Sequence, residues 1–377
     1  MRILLVSMNS IHFRRWASQL EDSGHEVFWF DSKGAGGKIK ELDWVSQHSD
    51  WRLRVKKARY TIKKIPLLNT LNERKISIAF EKYLMEVKPD VVHSFVLYLS
   101  CAPIVEVMKK YNHIKWIYSA WGNDLFFYQN YPEYRKEIDR ILPHIDYMFA
   151  DCQRDINLAY DLGFTGETLG VFPGGGGYHL DLINEPIKSI SEREGILIKG
   201  YQGEKHRGLV VLKAIEKMDI NIPITFFSTD KALIEYYNNS KELQQKGITF
   251  YTEKNRLTHR ELCQKMNASL VYIGNNISDG MPNTLLEAIC FGAFPIQSNP
   301  GGASAEVVTN ELNGLLINDC EDISEISFLI QKALGNKDLQ ESAFKHNFEL
   351  RATLSYEVIK KEVLKKYNSI SIHCEEL

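Results

Sequence analysis

The sequence lacks the features that hold small secreted domains and metal centres together. Six cysteines are spread over 377 residues, and no two of them form a C-x-x-C pair. No histidine and cysteine cluster has the spacing of a zinc site, so neither a structural zinc nor a disulfide framework is predicted. Scattered thiols are typical of a reducing compartment, and we therefore expect a cytoplasmic protein.

Long apolar runs and a strong charge of one sign are also missing. The uncharged, largely apolar stretch at 91–105 is shorter than a membrane-spanning helix and contains Pro103. The formal net charge is only −2, which gives no overall attraction to nucleic acid. With 44% hydrophobic residues the chain has the composition of a globular protein, and its length suggests two domains.

Several common binding signatures are absent as well. The chain contains no G-x-G-x-x-G dinucleotide fingerprint, no G-K-[ST] of a phosphate-binding loop, no D-x-D and no H-E-x-x-H. Dinucleotide-dependent enzymes, P-loop enzymes and zinc proteases of that type are therefore not predicted.

Short apolar runs alternate with segments of helical periodicity along the whole chain. This alternation predicts parallel sheets, and a polar stretch at 184–195 is interpreted as a linker between two of them. We predict an α/β protein with two Rossmann-like domains, 1–185 and 186–354, followed by a C-terminal helix at 355–377 that returns toward the first domain. The runs that predict strands are 3–6, 27–30, 91–92, 116–118, 147–150, 168–172, 196–198, 224–227, 248–251, 270–273, 294–297 and 315–317.

The run S-D-G-M-P-N-T-L-L-E-A-I-C-F-G, residues 278–292, contains two carboxylates in an unusual setting. A glycine-proline loop precedes an apolar segment with the composition of a buried helix, yet Glu287 lies inside that helix. In parallel sheets ligands bind where strands end and helices begin, so the start of this helix is predicted to bind an anion or a sugar. Glu287 suits two vicinal hydroxyls such as those of a ribose, and a salt bridge to a neighbour is the alternative. The predicted backbone contacts are Gly280, Met281, Pro282, Asn283 and Thr284.

This run, with G-A-F-P-I and N-P-G-G-A-S-A-E after it, resembles the donor-site signature of the retaining family 4 glycosyltransferases, also called group 1. That family has the GT-B fold, in which two Rossmann-like domains with parallel sheets face a central cleft. Its signature is two acidic residues separated by seven others, and Asp279 and Glu287 match this spacing, with Asp in place of the first Glu. The resemblance implies that Asp279 binds the donor sugar and Glu287 binds the ribose.

A second stretch, I-K-G-Y-Q-G-E-K-H-R-G-L, resembles the loop with which the family holds the diphosphate of its donor. Arg207 lies where a lysine is usual, and Tyr201 takes the place of the usual arginine. The resemblance implies that Arg207 stabilises the leaving diphosphate and that Lys199 or Lys205 supplies a second cation. A basic loop exposed to solvent is the alternative.

In the first half of the chain, S-A-W-G-N-D resembles the family's His-Gly-x-Asp loop, with Trp121 in place of the histidine. Trp121, Asn123 and Asp124 are therefore candidates for contacts with the acceptor or the cleft, and core packing is the alternative for Trp121. The loop S-M-N-S-I-H after the first strand departs from the family's glycine-rich version. It adds Ser10 and His12 as candidates.

Residues 51–75 contain nine Lys or Arg and one acid. Apolar residues recur there at helical spacing, which predicts a basic amphipathic helix. Such a helix binds an anionic membrane surface, or it packs on the N-terminal domain with its charges in solvent. Nucleic acid is a poorer interpretation, because no pattern of stacking aromatics accompanies the charges. The candidate membrane-binding residues are Lys56, Lys57, Lys63 and Lys64.

The resemblance as a whole implies a retaining, metal-independent glycosyltransferase. It would move a sugar from a nucleotide-diphosphate donor, with UDP favoured, to a sugar or lipid-linked sugar acceptor in bacterial surface-polysaccharide assembly. No cofactor and no nucleic-acid partner are expected, and the protein would be cytoplasmic, peripheral at the inner membrane face if the basic helix binds lipid. Two alternatives stay open: a GT-B sugar-nucleotide epimerase, and a non-catalytic nucleotide-binding partner of a polysaccharide synthase.

Overall fold

The structure is a computed structural model that describes residues 1–34, 37–51 and 76–370. The chain forms two compact units, one made of Met1–Gly176 with the residues from Lys360 onward, the other of Gly177–Ile359. The candidate membrane-binding lysines, Lys56, Lys57, Lys63 and Lys64, lie outside the described residues. No helix within the described ranges combines the length and the apolar character needed to cross a bilayer.

The first unit is built on a seven-stranded sheet in which every neighbouring pair is parallel. Its strand order, β3-β2-β1-β4-β5-β6-β7, reverses direction between β1 and β4. In such sheets the crevice outside the carboxyl ends of the strands at this reversal is the usual ligand site. The strands are β1 (Arg2–Ser7), β2 (Glu26–Asp31), β3 (Ser46–His48), β4 (Val91–Phe95), β5 (Lys115–Ala120), β6 (Tyr147–Ala150) and β7 (Glu167–Val171).

Helices connect these strands and cover a core of fully buried aromatic and aliphatic side chains. They are α1 (Ile11–Ser18), α2 (Ile76–Val87), α3 (Val105–Lys110), α4 (Pro132–Ile141) and α5 (Gln153–Asp161). A single turn of π-helix, Leu97–Cys101, follows β4. The residue before it, Val96, has a φ of 70°, which is strained for a β-branched side chain.

The second unit repeats the plan with six parallel strands in the order β10-β9-β8-β11-β12-β13. Its reversal lies between β8 and β11. The strands are β8 (Ile196–Lys199), β9 (Ile224–Phe227), β10 (Ile248–Phe250), β11 (Val271–Gly274), β12 (Phe294–Ser298) and β13 (Leu315–Ile317). Its helices are α6 (Gly208–Glu216), α7 (Lys231–Asn239), α8 (Lys241–Gln244), α9 (His259–Ala268), α10 (Asn283–Cys290), α11 (Ile323–Gly335) and α12 (Lys337–Thr353). Two Rossmann-like sheets in tandem confirm the predicted fold class.

The segment that follows the division at Gly176 packs with the second unit. Tyr178 donates its backbone N–H to Leu354 O and accepts one from Tyr356 N, both at 2.9 Å. The stretch 184–195, which the sequence suggests as a linker, also lies inside this unit. Its polar residues form a capping box between Ser189 and Glu192, and Arg193 is buried. Most residues of this stretch, Ser189 and Glu192 included, are exposed, and local hydrogen bonds hold its backbone.

The last helix, α13 (Tyr356–Asn368), begins in the second unit, and its residues from Lys360 group with the first. Tyr367 is fully buried there and its hydroxyl accepts a hydrogen bond from Trp16 Nε1 at 3.2 Å. The same hydroxyl lies 2.5 Å from Nδ1 of His93 on β4, whose Nε2 lies 2.8 Å from Ser119 Oγ on β5. Burial lowers the pKa of His93 well below its ordinary value, so the ring is neutral. This buried chain of hydrogen bonds fixes the helix to the first sheet.

Candidate functional site

The best-defined group of predicted site residues lies at the reversal of the second sheet. β8 ends at Lys199 and β11 ends at Gly274, and the two strands are adjacent. The loops that follow them are joined by backbone hydrogen bonds, from Ile277 N to Lys205 O and from Arg207 N to Asn275 O, both at 2.9 Å. The loops lead into α6 and α10. Strand ends and helix starts therefore converge on one small region.

Asp279 and Lys199 are brought together in this region. The Lys199 Nζ atom lies 4.0 Å from Asp279 Oδ2, and the two side chains are 11% and 22% exposed. Asp279 also accepts hydrogen bonds from Asn276 Nδ2 and from Gly280 N, each at 3.1 Å. A partly buried ion pair at the ends of two strands gives this crevice both an acceptor and a cation for a polar ligand.

Arg207 is held by its own loop. It occupies the position before the first residue of α6, and its Nη1 donates to the carbonyl oxygens of Gly203 at 2.7 Å and His206 at 3.0 Å. Its Nε donates to the Glu321 carboxylate. These contacts set the shape of the loop after β8, and the role of Arg207 toward a phosphate stays a prediction. Lys205 is half-buried in the same loop.

The predicted helix in the run 278–292 is present as α10. It begins at Asn283 after Pro282 and ends before Gly292, whose φ of 82° only glycine adopts readily. Gly280, Met281 and Pro282 are buried before it. In its first turn Asn283 Oδ1 accepts from Tyr178 OH at 2.9 Å, and Thr284 Oγ1 accepts from Tyr272 OH at 2.8 Å. These side chains position the helix N-terminus, where unpaired amides favour an anion.

Glu287 lies about one turn into α10 and is 4% exposed. Its Oε1 atom is 2.7 Å from Nε2 of His259, the first residue of α9. The structure therefore explains how an apolar helix tolerates this acid, because a buried carboxylate needs a partner. The contact corresponds to the salt-bridge alternative, and the ribose role of Glu287 stays a prediction.

Two residues of this region were not among the sequence-predicted candidates. His206 and Asn276 face each other across the loops, with Nδ1 of His206 2.8 Å from Oδ1 of Asn276. Asn276 in turn contacts Asp279. The sequence signal that could have indicated them is weak: each lies in a loop directly after a strand that borders the sheet reversal.

In the first unit, the predicted residues surround the carboxyl ends of β1 and β5. Ser10 caps the N-terminus of α1 by accepting a hydrogen bond from Phe13 N at 3.2 Å. This contact gives Ser10 a role in helix stability that needs no ligand. The rings of His12 and Trp121 meet edge to face with centroids 6.1 Å apart, and Trp121 also contacts Phe95 at 4.9 Å. Trp121 is half-buried. It thus combines core packing with an accessible surface.

Asp124 is turned toward the interior. Its Oδ2 accepts from Leu97 N at 2.8 Å and from Tyr118 OH at 2.9 Å, and burial raises its pKa to about 7. By holding Leu97, it fixes the backbone next to the strained Val96. A direct sugar contact by Asp124 stays a prediction that these interactions do not favour. Its neighbour Asn123 has a buried Oδ1 with no hydrogen-bond partner among the described residues, and is the better candidate.

Within the described ranges, one group of three side chains has the spacing of a metal site: Asp151, Cys152 and Asp155. Arg154 already pairs with Asp155, with 2.8 Å between Nη2 and Oδ1. Burial raises the pKa of the Cys152 thiol, and thiols bind metals as thiolates. The group contains a buried ion pair between Arg154 and Asp155.

Two sequence families match the chain. Residues 2–151 match the glycosyl transferase 4-like family, and residues 196–349 match the glycosyl transferases group 1 family. The second match spans the strands and loops that hold Lys199, Asp279 and Glu287. No curated protein matches the sequence.

Solved structures share the fold over the whole chain at low identity. Sucrose-phosphate synthase from Thermosynechococcus elongatus matches with a TM-score of 0.73 and 17% identity, over 98% of both chains. HepE from Anabaena, in complex with UDP-glucose, matches with a TM-score of 0.72 and 10% identity, over 98% of this chain and all of the other. A glycosyltransferase from Rickettsia africae has a TM-score of 0.68 at 15% identity, over 98% of this chain and 99% of that one.

Two Rossmann-like sheets, a site at the reversal of the second sheet and two family matches that together span most of the chain agree on one assignment. The chain is a GT-B-fold glycosyltransferase and belongs to the family 4-like, group 1 glycosyltransferases.

Proposed function

We propose that this glycosyltransferase uses a nucleotide-diphosphate sugar, with UDP favoured, and retains the configuration of the transferred sugar without a metal. The observation that carries the proposal is the pairing of Lys199 with Asp279 beside the start of α10. The bound UDP-glucose of the structurally similar Anabaena protein supports the choice of donor class. The proposed acceptor is a sugar or a lipid-linked sugar in surface-polysaccharide assembly.

In the proposed mechanism, catalysis is mainly electrostatic. Negative charge grows on the leaving diphosphate as the glycosidic bond breaks. The Lys199 ammonium and the amides at the start of α10 stabilise that charge. Arg207 is a further cation when its guanidinium donates to the phosphate instead of to its own loop. These groups are fixed before the reaction, so little reorganisation is needed.

The two carboxylates are assigned to binding. With retention, the acceptor hydroxyl enters on the face that the leaving group departs from, and a phosphate oxygen takes its proton. No protein base is then required, so the acid-and-base pair of a glycosidase does not apply to Asp279 and Glu287. We assign Asp279 to hydroxyls of the donor sugar and Glu287 to the ribose. Acceptor contacts are proposed for Ser10, His12, Trp121, Asn123 and Asp124 of the first unit.

The proposal is tested first with nucleotides. A ligand that binds only the folded state raises the melting temperature, so a panel of UDP-, GDP- and dTDP-sugars reports the preferred base. We expect the largest rise with UDP-sugars. If none of the three raises the melting temperature, the proposed donor class is wrong.

Glu287→Gln is expected to raise the donor KM and to lower kcat/KM about tenfold, because the amide replaces one of two carboxylate acceptors for ribose hydroxyls. Gln keeps the side-chain length and an oxygen that His259 can contact, so folding should change little. Steady-state kinetics with varied donor measures the effect. Wild-type values of donor KM and kcat/KM would remove Glu287 from the ribose site.

The remaining alternatives are separated by product analysis. A transferase releases nucleoside diphosphate only when an acceptor is present, whereas an epimerase converts the donor sugar without one. A non-catalytic partner does neither. Release that depends on an acceptor is the expected result.

Membrane binding by the basic segment is proposed on sequence grounds. Each Lys or Arg near an anionic surface contributes about 1 kcal/mol, so changing Lys56, Lys57, Lys63 and Lys64 together to Glu is expected to abolish co-sedimentation with vesicles of anionic lipid. Neutral vesicles are the control. Wild-type protein that stays in the supernatant, or a variant that sediments equally, would contradict the proposal.

A further inference from the structure

Asn276 joins the two loops of the candidate donor site. Its Oδ1 lies 2.8 Å from His206 Nδ1 on one loop, and its Nδ2 donates to Asp279 Oδ2 at 3.1 Å on the other. Its backbone N–H donates to Ser298 Oγ at 2.8 Å, which fixes its main chain. The asparagine therefore has a defined partner on each side.

These contacts determine which ring nitrogen of His206 carries hydrogen. An ionised carboxylate can only accept hydrogen bonds, so the NH₂ group of Asn276 faces Asp279 and its carbonyl oxygen faces His206. A carbonyl oxygen requires a donor, so Nδ1 of His206 must be protonated. In a neutral ring Nε2 is then the acceptor.

The surroundings of His206 keep the ring neutral. Burial is the largest influence and lowers its pKa, and the charge of Lys199 acts in the same direction. The hydrogen bond to Asn276 and the charges of Asp279 and Asp230 act the opposite way and offset only part of this. The ring of Tyr201 covers one side, with its centroid 5.2 Å away.

We propose that His206 is a further donor-contacting residue, whose Nε2 accepts a hydrogen bond from a hydroxyl of the nucleotide-sugar. Asn276 is then a positioning residue, because it fixes the tautomer of His206 and the orientation of Asp279 together. This inference rests on the proposed function. Two acceptors, Asp279 and His206, stand beside one cation, Lys199, which suits a ligand that presents several hydroxyls next to an anionic group.

Two substitutions separate the ring nitrogens. In His206→Asn, the amide nitrogen lies close to the position of Nδ1 and can still donate to Asn276, but the acceptor at Nε2 is lost. We expect this variant to keep the wild-type melting temperature and the wild-type stabilisation by UDP. Its kcat/KM for the nucleotide-sugar should fall about tenfold, as expected for one lost hydrogen bond.

In His206→Gln the longer side chain places its amide near the position of Nε2. The contact that Nδ1 makes with Asn276 is then lost. This variant should have a lower melting temperature than the wild type. Asn276→Ala should lower both the melting temperature and kcat/KM. If His206→Asn instead retains the wild-type kcat/KM, then the contact with Asn276 is purely structural and the inference is wrong.

Nitrogen NMR of the full chain labelled at histidine tests the tautomer directly. The sequence has 11 histidines, so the His206 signals are assigned by their loss in His206→Asn. Hydrogen on Nδ1 near neutral pH, in protein without nucleotide, supports the inference, and hydrogen on Nε2 overturns it. This measurement needs no donor, so its failure is distinguishable from a failure of UDP to stabilise the protein, which would reject the proposed function.

Discussion

Replacing Lys199 with methionine is expected to lower kcat about 100-fold or more. Lys199 ends β8 with a side chain that is 11% exposed, and its ammonium lies 4.0 Å from Asp279. A fixed cation in a site shielded from water stabilises charge far better than one in solvent. Because the charge on the leaving diphosphate grows as the bond breaks, the loss should fall mainly on kcat, with a smaller rise in donor KM.

The comparison between lysines makes this test specific. Lys205→Met shows whether the other candidate carries the effect, and Lys199→Arg shows whether charge alone is sufficient. Lys231→Met is a matched control, since Lys231 is exposed on α7 and pairs with Glu235 in the next turn. Initial rates at saturating and limiting donor give kcat and KM. A Lys199→Met enzyme with wild-type kcat would reject the leaving-group role.

The second large effect is expected in stability. Arg193 is 6% exposed and its guanidinium donates to carbonyl oxygens of Lys188 at 3.0 Å, Met266 at 3.1 Å and Phe291 at 3.1 Å. Burial lowers its pKa only to about 10, so it is charged at neutral pH. Arg193→Met leaves these buried acceptors without a donor, and we expect a loss on the order of 3–5 kcal/mol in the free energy of unfolding.

Calorimetry of the full chain measures this loss as a fall of about 10 °C in the transition of the second unit. Arg193→Lys should be intermediate, because one ammonium cannot replace a planar group that serves several carbonyls. Arg256→Met is the control, since Arg256 is exposed. A melting temperature for Arg193→Met within a degree or two of the wild type would mean that water or neighbouring groups satisfy those carbonyls.

Most of the strands that the sequence predicts bury both faces, although the predicted runs 168–172 and 248–251 overlap β7 and β10, which are partly exposed. Short apolar runs such as 147–150 and 224–227 coincide with β6 and β9. Strands of a parallel sheet that is covered on both faces are largely apolar, so they appear in the sequence as nearly continuous hydrophobic runs. β3 escapes prediction because its three residues, Ser46–His48, form an edge strand with polar side chains. Its pairing with β2 is specified by neighbours and not by its own composition.

The proximity of Lys199 and Asp279 was predictable in part. Lys199 ends β8 and Asp279 lies in the loop after β11, and the two strands are adjacent in a Rossmann-like sheet. The contact between Glu287 and His259 was not predictable, because the two residues are 28 positions apart in sequence and belong to different helices. Such a pairing depends on how α9 and α10 lie against each other, which local pattern does not encode.

Asp124 illustrates the opposite problem. Its motif indicates a polar residue at the edge of the first sheet, yet the carboxylate turns inward to Leu97. The N–H that it binds follows Val96, whose φ of 70° is unusual for a β-branched residue. The family signature indicates the loop as a candidate for ligand contacts, but it does not determine the direction of the side chain.

The anchoring of Tyr367 has a consequence for the order in which the molecule is made. In sequence, the second unit is an insertion between Gly176 and Lys360, and the hydroxyl that Trp16 and His93 share is supplied after that insertion is complete. During synthesis the second unit therefore emerges whole from the ribosome while the first still lacks a buried tyrosine. The first unit therefore completes its core only after the second unit has been synthesised.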